Sequence, residues 1–113
     1  MVVGLVSDLF FAARIRETAK QLGVECVIVR DPAALAAHAA GARLVIVDMN
    51  LRGADAAAVV TALKADPATR AARVVGFLFD SHDELIRAAR AAGCDQVVSR
   101  GGLTRKLPEL LRE

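Results

Sequence analysis

The chain is short of several things, and each shortage removes a class of protein. No apolar run among its 113 residues approaches the ~20 residues that a helix needs to cross a bilayer. An apolar stretch begins almost at Met1, so no secretory leader is expected. Charge of one sign is scarce: 15 Lys and Arg against 13 Asp and Glu leave a formal +2. That field is too weak to gather an anionic membrane, and it disfavours nucleic acid as a partner. Cysteine is nearly absent, and Cys26 and Cys94 lie far apart, without metal-ligand or redox spacing. They are expected as reduced, buried thiols in a cytoplasmic protein. His38 has no second histidine or cysteine at ligand spacing and reads as a solvent-side residue. The Gly101–Gly102 pair lacks the lysine and hydroxyl residue of a phosphate loop and reads as a turn. No linker, repeat or low-complexity segment divides the chain.

What is present is apolar sequence in short, regularly spaced blocks. Some 55% of the residues are apolar, enough to fill one core, so residues 1–113 are expected to form a single domain. Val2 to Val6 reads as a strand, and Leu9 to Leu22 as a helix with Asp8 as its N-cap and Gly23 as its stop. Val24 to Val29 is a second strand. Asp31 with Pro32 then opens a short alanine-rich helix that ends near Gly41. Leu44 to Val47 is a third strand, and Asp55 caps a helix that runs to Ala65. Val74 to Phe79 is a fourth strand, followed by a helix that opens on a capping box of Ser81 with Glu84 and ends at Gly93. That box and the helix dipole account for the local cluster of Asp80, His82 and Asp83. Gln96 to Ser99 is a fifth strand. In the last segment Pro108 is expected to start the regular helix, because proline deeper inside would cost a hydrogen bond.

Strands that are nearly continuous apolar runs belong to a sheet covered on both faces. Strict alternation with helices makes that sheet parallel and doubly wound. Function in such a sheet gathers at the carboxyl ends of the strands. Ser7 with Asp8, Asp48, Leu78 with Phe79, and Ser99 with Arg100 fall there. The segment LVIVDMNLRGAD, residues 44–55, then raises a question: why does an apolar strand run into a carboxylate? Burying an unpaired carboxylate costs several kcal/mol. Asp48 is therefore either a functional acid in a crevice or a loop-entry residue.

With LVIVDMNL in the place of the strand that bears the phosphoacceptor, the whole chain resembles the receiver domain of two-component response regulators. That resemblance implies a flavodoxin-like (CheY-like) α/β fold with a five-stranded parallel sheet and helices on both faces. The steps from Asp48 to Leu78 and on to Arg100 match the receiver spacing of phosphoacceptor, hydroxyl residue and lysine without a gap. Carried over position by position, Asp48 takes the phosphoacceptor slot, and Asp8 that of the directly coordinating acid. Ser7 replaces the second acid, and Asn50 stands where receivers offer a backbone carbonyl to magnesium. Asp8, Asp48 and Asn50 are thus the candidate Mg²⁺ ligands, with the helix-cap role of Asp8 as the alternative.

The departures from the family pattern are as informative as the matches. Leu78 stands in the hydroxyl slot and cannot donate a hydrogen bond. Phe79 fills a position that receivers keep small, and Val97 replaces the switch aromatic of the fifth strand. Arg100 replaces the lysine, and its fork suits a permanent pair with Asp48, weighed against a phosphoryl-binding role. The resemblance implies a non-enzymatic, stand-alone signalling domain, an atypical or pseudo-receiver acting through protein contacts and requiring no cofactor. The alternative is an Mg²⁺-dependent phosphoacceptor of a phosphorelay, modified on Asp48. The resemblance places the interaction face on Asp83 to Ala92, Val97 to Ser99 and Thr104 to Leu111, with Arg87, Arg90, Val97, Arg105 and Lys106 as candidate contacts. A sensor kinase, another regulator or a second copy of the chain are the partners it suggests.

Overall fold

The structure, a computed structural model, describes residues 1–79 and 83–113. Five strands, β1 (Val2–Leu5), β2 (Cys26–Val29), β3 (Leu44–Asp48), β4 (Arg73–Leu78) and β5 (Gln96–Ser99), form one parallel sheet in the order β2-β1-β3-β4-β5. The helices between and after them are α1 (Leu9–Leu22), α2 (Pro32–His38), α3 (Ala56–Ala65), α4 (Asp83–Ala92) and α5 (Arg100–Arg112). The winding direction reverses at β1, because β2 lies to one side of it and β3 to the other. The carboxyl ends of β1 and β3 therefore open into a crevice that no crossover covers.

The period-two alternation of each strand feeds two apolar layers. Val3, Leu5, Val45, Val47, Val74 and Leu78 point toward α2, α3 and α4, meeting Leu35, Val60, Leu63 and Ala89. Val2, Leu44, Ile46, Val75 and Phe77 point toward α1 and α5, meeting Phe11, Ile15, Leu103 and Leu107. Each such aliphatic side chain contributes roughly 1.5–3 kcal/mol on full burial. The caps expected from sequence are in place. Asp8 accepts from the N–H groups of Phe10 at 2.8 Å and Phe11 at 3.2 Å, Asp31 from Ala33, and Asp55 from Ala58. Gly23 ends α1 in the left-handed region, at φ 69°.

Several expectations need correction. Asp48 is not a loop residue but the last residue of β3, paired in register with Phe77. β4 begins at Arg73 and ends at Leu78, one residue earlier at each end than expected. Gly101 and Gly102 do not form a turn, and Pro108 does not start the helix. α5 begins at Arg100, capped by the Ser99 hydroxyl, which accepts from Gly102 N–H at 2.9 Å, and it carries Pro108 in its body. The reason is the apolar face of Leu103, Leu107, Leu110 and Leu111, all buried at helical spacing. Four such burials outweigh the ~3 kcal/mol that an interior proline costs a helix. Of the expected box, Ser81 lies outside the described residues, as do Asp80 and His82, while Asp83 and Glu84 stand in the first turn of α4.

The foot of α5 is tied to the amino side of the sheet. Arg43, just before β3, donates to the carbonyl of Leu110 at 3.4 Å and to that of Leu111. Arg73 at the start of β4 pairs with Glu113 and donates to Gln96 Oε1 at 2.8 Å. The Arg43 guanidinium thus satisfies two of the last carbonyls of the helix, which have no partner within it, and Arg73 holds the carboxylate that follows them.

Candidate functional site

The crevice has a volume of about 830 Å³, and Asp8, Phe10, Arg30, Asp48, Arg52 and Arg100 are among its lining residues. Ser7, Asn50 and Phe79 also reach it, whereas Leu78 does not. Strand alternation turns Leu78 toward the layer beneath α3 and α4, where it is buried beside the apolar residues of β3 and the following loop. Of the four positions expected at a phosphoryl pocket, the structure thus brings Asp48, Phe79 and Arg100 together and leaves Leu78 in the core.

Asp48 is 1% exposed. Its Oδ2 accepts from the N–H of Ser7 at 3.3 Å and its Oδ1 from the N–H of Asn50 at 2.9 Å. Burial pushes its carboxyl above the ordinary carboxylate value. The Ser7 and Asn50 N–H groups pull it back, the Asp8 charge pushes it further up, and the Arg52 charge draws it down. Asn50 also ties the site to the next strand, its Oδ1 accepting from Phe79 N–H at 2.8 Å.

Arg100 is not the partner of Asp48. Its Nη2 donates to Asp8 Oδ2 at 3.4 Å, and its guanidinium carbon lies 4.6 Å from the ring centroid of Phe79 and 5.2 Å from that of Phe11. Phe11, Phe77 and Phe79 form an aromatic cluster with centroids 5.0–6.3 Å apart. Two ring faces attract the delocalised cation. The start of α5 lies beside α1, so the arginine reaches the acid at the α1 cap instead of the one at the end of β3.

The candidate Mg²⁺ ligands are crowded by cations. Asp8 Oδ1 holds two helix N–H groups and its Oδ2 faces Arg100, while Arg30 and Arg52 share the same crevice. A divalent ion there would compete with Arg100 for Asp8, so the donor set fits such an ion poorly. Among the described residues no three His, Cys, Asp or Glu side chains converge on one point.

On the candidate interaction face Arg87, Arg90, Arg105 and Lys106 are exposed, whereas Val97 is half-buried against the core. His38 is exposed at the end of α2. Cys26 and Cys94 are free and half-buried, not fully buried as expected, and burial raises both thiols, Cys94 to about 11. No helix among the described residues is long and apolar enough to cross a membrane.

Sequence reasoning missed four residues that line the crevice, Leu9, Phe10, Arg30 and Arg52, and Phe11 beneath it. Arg30 directly follows β2 and Arg52 lies four residues past Asp48, so the rule that strand carboxyl ends gather function already pointed to both. Leu9, Phe10 and Phe11 carried no such signal, since apolar residues at the start of a helix read as core.

No family model matches the chain, and no curated protein matches it in sequence. Solved structures do match. The signal receiver domain of a DNA-binding response regulator from Colwellia psychrerythraea superposes with a TM-score of 0.82 at 18% identity, covering 99% of this chain and 98% of the other. The chemotaxis response regulator CheY4 of Vibrio cholerae gives 0.83 at 17%, covering 98% and 94%. The Mn²⁺-bound form of the response regulator Rcp1 gives 0.79 at 14%, covering 96% and 89%. Likeness at these identities shows the fold: this chain has the CheY-like receiver fold of the response regulators.

Proposed function

We propose that this chain is a receiver-like signalling module that works by binding partner proteins and whose conformation does not depend on phosphorylation of Asp48. The observation that carries this reading is the placement of Arg100. A receiver-type switch needs a hydroxyl group and a mobile cation that converge on a phosphoryl group at the acceptor. Here Leu78 is committed to the core and Arg100 to Asp8, Phe11 and Phe79. The module acts in the cytoplasm as a binding protein and not as an enzyme. Its contacts form on the exposed basic surface of α4 and α5, at Arg87, Arg90, Arg105 and Lys106. A sensor kinase, another regulator or a second copy of the chain fits that role.

A second reading is favoured by one observation: Asp48 lines the crevice, and among the described residues no cation lies within ion-pair distance of it. In that reading Asp48 is a phosphoacceptor, and Mg²⁺ would have to displace Arg100 from Asp8 before Asp8, Asp48 and the Asn50 carbonyl could hold it. Intact-protein mass spectrometry after incubation with acetyl phosphate and Mg²⁺ separates the two. The interaction reading expects no adduct. A phosphoryl adduct on the wild type that is absent from Asp48→Asn would overturn it.

A further inference from the structure

We infer that the crevice above β1 and β3 binds a nucleotide-class ligand, an anionic phosphate group carried with a planar ring, held by Arg30 and Arg52 and stacked on Phe10. This goes beyond the interaction reading and does not depend on it.

The first observation is charge. The crevice contains three guanidinium groups and two carboxylates. Arg100 is matched by Asp8, and the other carboxylate, Asp48, is buried and bonded to two backbone N–H groups. That leaves Arg30 and Arg52. Among the described residues neither guanidinium makes an ion pair or donates a hydrogen bond. The two stand at the carboxyl ends of β2 and β3, on either side of β1. The ends of β2 and β3 are two strand spacings, about 10 Å, apart, and Arg30 directly follows the one while Arg52 lies four residues past the other, both lining the one crevice where long side chains can close on one diphosphate. Guanidinium forks match phosphate oxygens in pairs. The α1 terminus is not the anion site, because Asp8 already takes the N–H groups of Phe10 and Phe11.

The second observation is apolar. Phe10 is 87% exposed and Leu9 beside it 59%, the most exposed large apolar side chains in the chain's described residues, and both border the same crevice. A phenyl ring left in water forgoes its burial free energy, and a flat heterocycle stacked on it would recover much of that. Two unpaired arginines beside an uncovered aromatic ring, over a concavity within the usual size range of small-molecule sites, match phosphate and base in one ligand.

The test is amide chemical-shift mapping by NMR with adenosine diphosphate, pyrophosphate and adenosine as separate probes. Adenosine diphosphate should cause saturable shifts at Phe10, Arg30, Asn50 and Arg52, pyrophosphate should bind the same arginines more weakly, and adenosine should bind weakest. Phe10→Ala should weaken the diphosphate by about fivefold or more while leaving pyrophosphate binding unchanged, in line with the energy of base stacking. The double change Arg30→Glu with Arg52→Glu should abolish both, whereas Arg16→Glu, an exposed arginine on the body of α1, should have little effect. All these positions are exposed, and retained amide dispersion verifies folding. The proposal is overturned if neither phosphate probe gives saturable shifts in the crevice, if the shifts survive the double charge reversal, or if adenosine binds as tightly as its diphosphate.

Discussion

Arg100 reaches across the crevice to Asp8 and leaves Asp48, the acid it was expected to neutralise, with backbone donors alone. The pair is partly exposed, with side chains 46% and 30% accessible, so its direct coupling should be modest. A double-mutant cycle of Asp8→Ala with Arg100→Ala, read by urea denaturation, should give about 0.5–1 kcal/mol. The cycle of Asp48→Asn with Arg100→Ala should give close to zero. A larger coupling to Asp48 than to Asp8 would reverse the assignment. Arg100→Lys should recover only part of the loss, because an ammonium group has no planar face to lay against Phe11 and Phe79.

Asp48 sets one limb of the pH dependence of stability. Its carboxyl is raised in the folded state, chiefly by burial, so the native protein holds this proton to a higher pH than the unfolded chain does. Stability from this group is greatest below the unfolded value and declines as pH climbs from there through the raised native value. Asp48→Asn should flatten that decline and be more stable than wild type above it. Thermal melts across the acidic range check this, and parallel wild-type and variant curves would contradict it.

Asp95 works in the opposite sense. Burial pushes its carboxyl up, but the hydrogen bond from Lys64 at 2.8 Å, the Val74 N–H at 2.8 Å and the charges of Lys64 and Arg73 outweigh that and hold it below the ordinary range. Its contribution is present above the unfolded value and lost as pH falls through the lowered one. The pair is partly exposed, so Lys64→Met should cost no more than about 1 kcal/mol near neutrality, and the cost should shrink in acid.

The Cys94 thiol, raised to about 11 by burial and by the neighbouring Asp95, should be almost entirely protonated at neutral pH. Native protein should therefore label slowly at Cys94 with iodoacetamide, and the rate should rise steeply on denaturation. Fast native labelling would show that the thiol is not held in its apolar setting beside Met49 and Gly76.

Pro108 sits in the body of α5 at a position where the sequence suggested a helix start. Replacement by alanine restores a donor for the Thr104 carbonyl and should raise stability by about 1–3 kcal/mol. A loss would mean that the pyrrolidine ring packs to more effect than the missing hydrogen bond costs.

The fold was legible because local signals agreed with one another. Asp8, Asp31 and Asp55 cap the helices they were expected to cap, and the apolar blocks became the five strands. α5 was misplaced because local proline chemistry was weighed without the burial of Leu103 and Leu107, which is a tertiary term. The site was legible only in its positions along the chain. Sequence spacing brought Asp48 and Arg100 to one crevice, but the choice between two acids depends on the angle at which α5 meets α1 and on where Phe11 and Phe79 stack. Leu78 failed as a pocket residue for a simpler reason: a strand side chain one position along points to the other face.

The anchoring of α5 by Arg43 and Arg73 turns that helix into a lever with its pivot at the far end. Its 13 residues span about 20 Å, so a tilt of only about 5° about the clamped carboxyl end moves the opposite end by nearly 2 Å. That moving end carries Arg100. A partner that leans on the middle of α5 would therefore act on the crevice with mechanical gain, drawing the guanidinium off its two rings while the foot of the helix stays still.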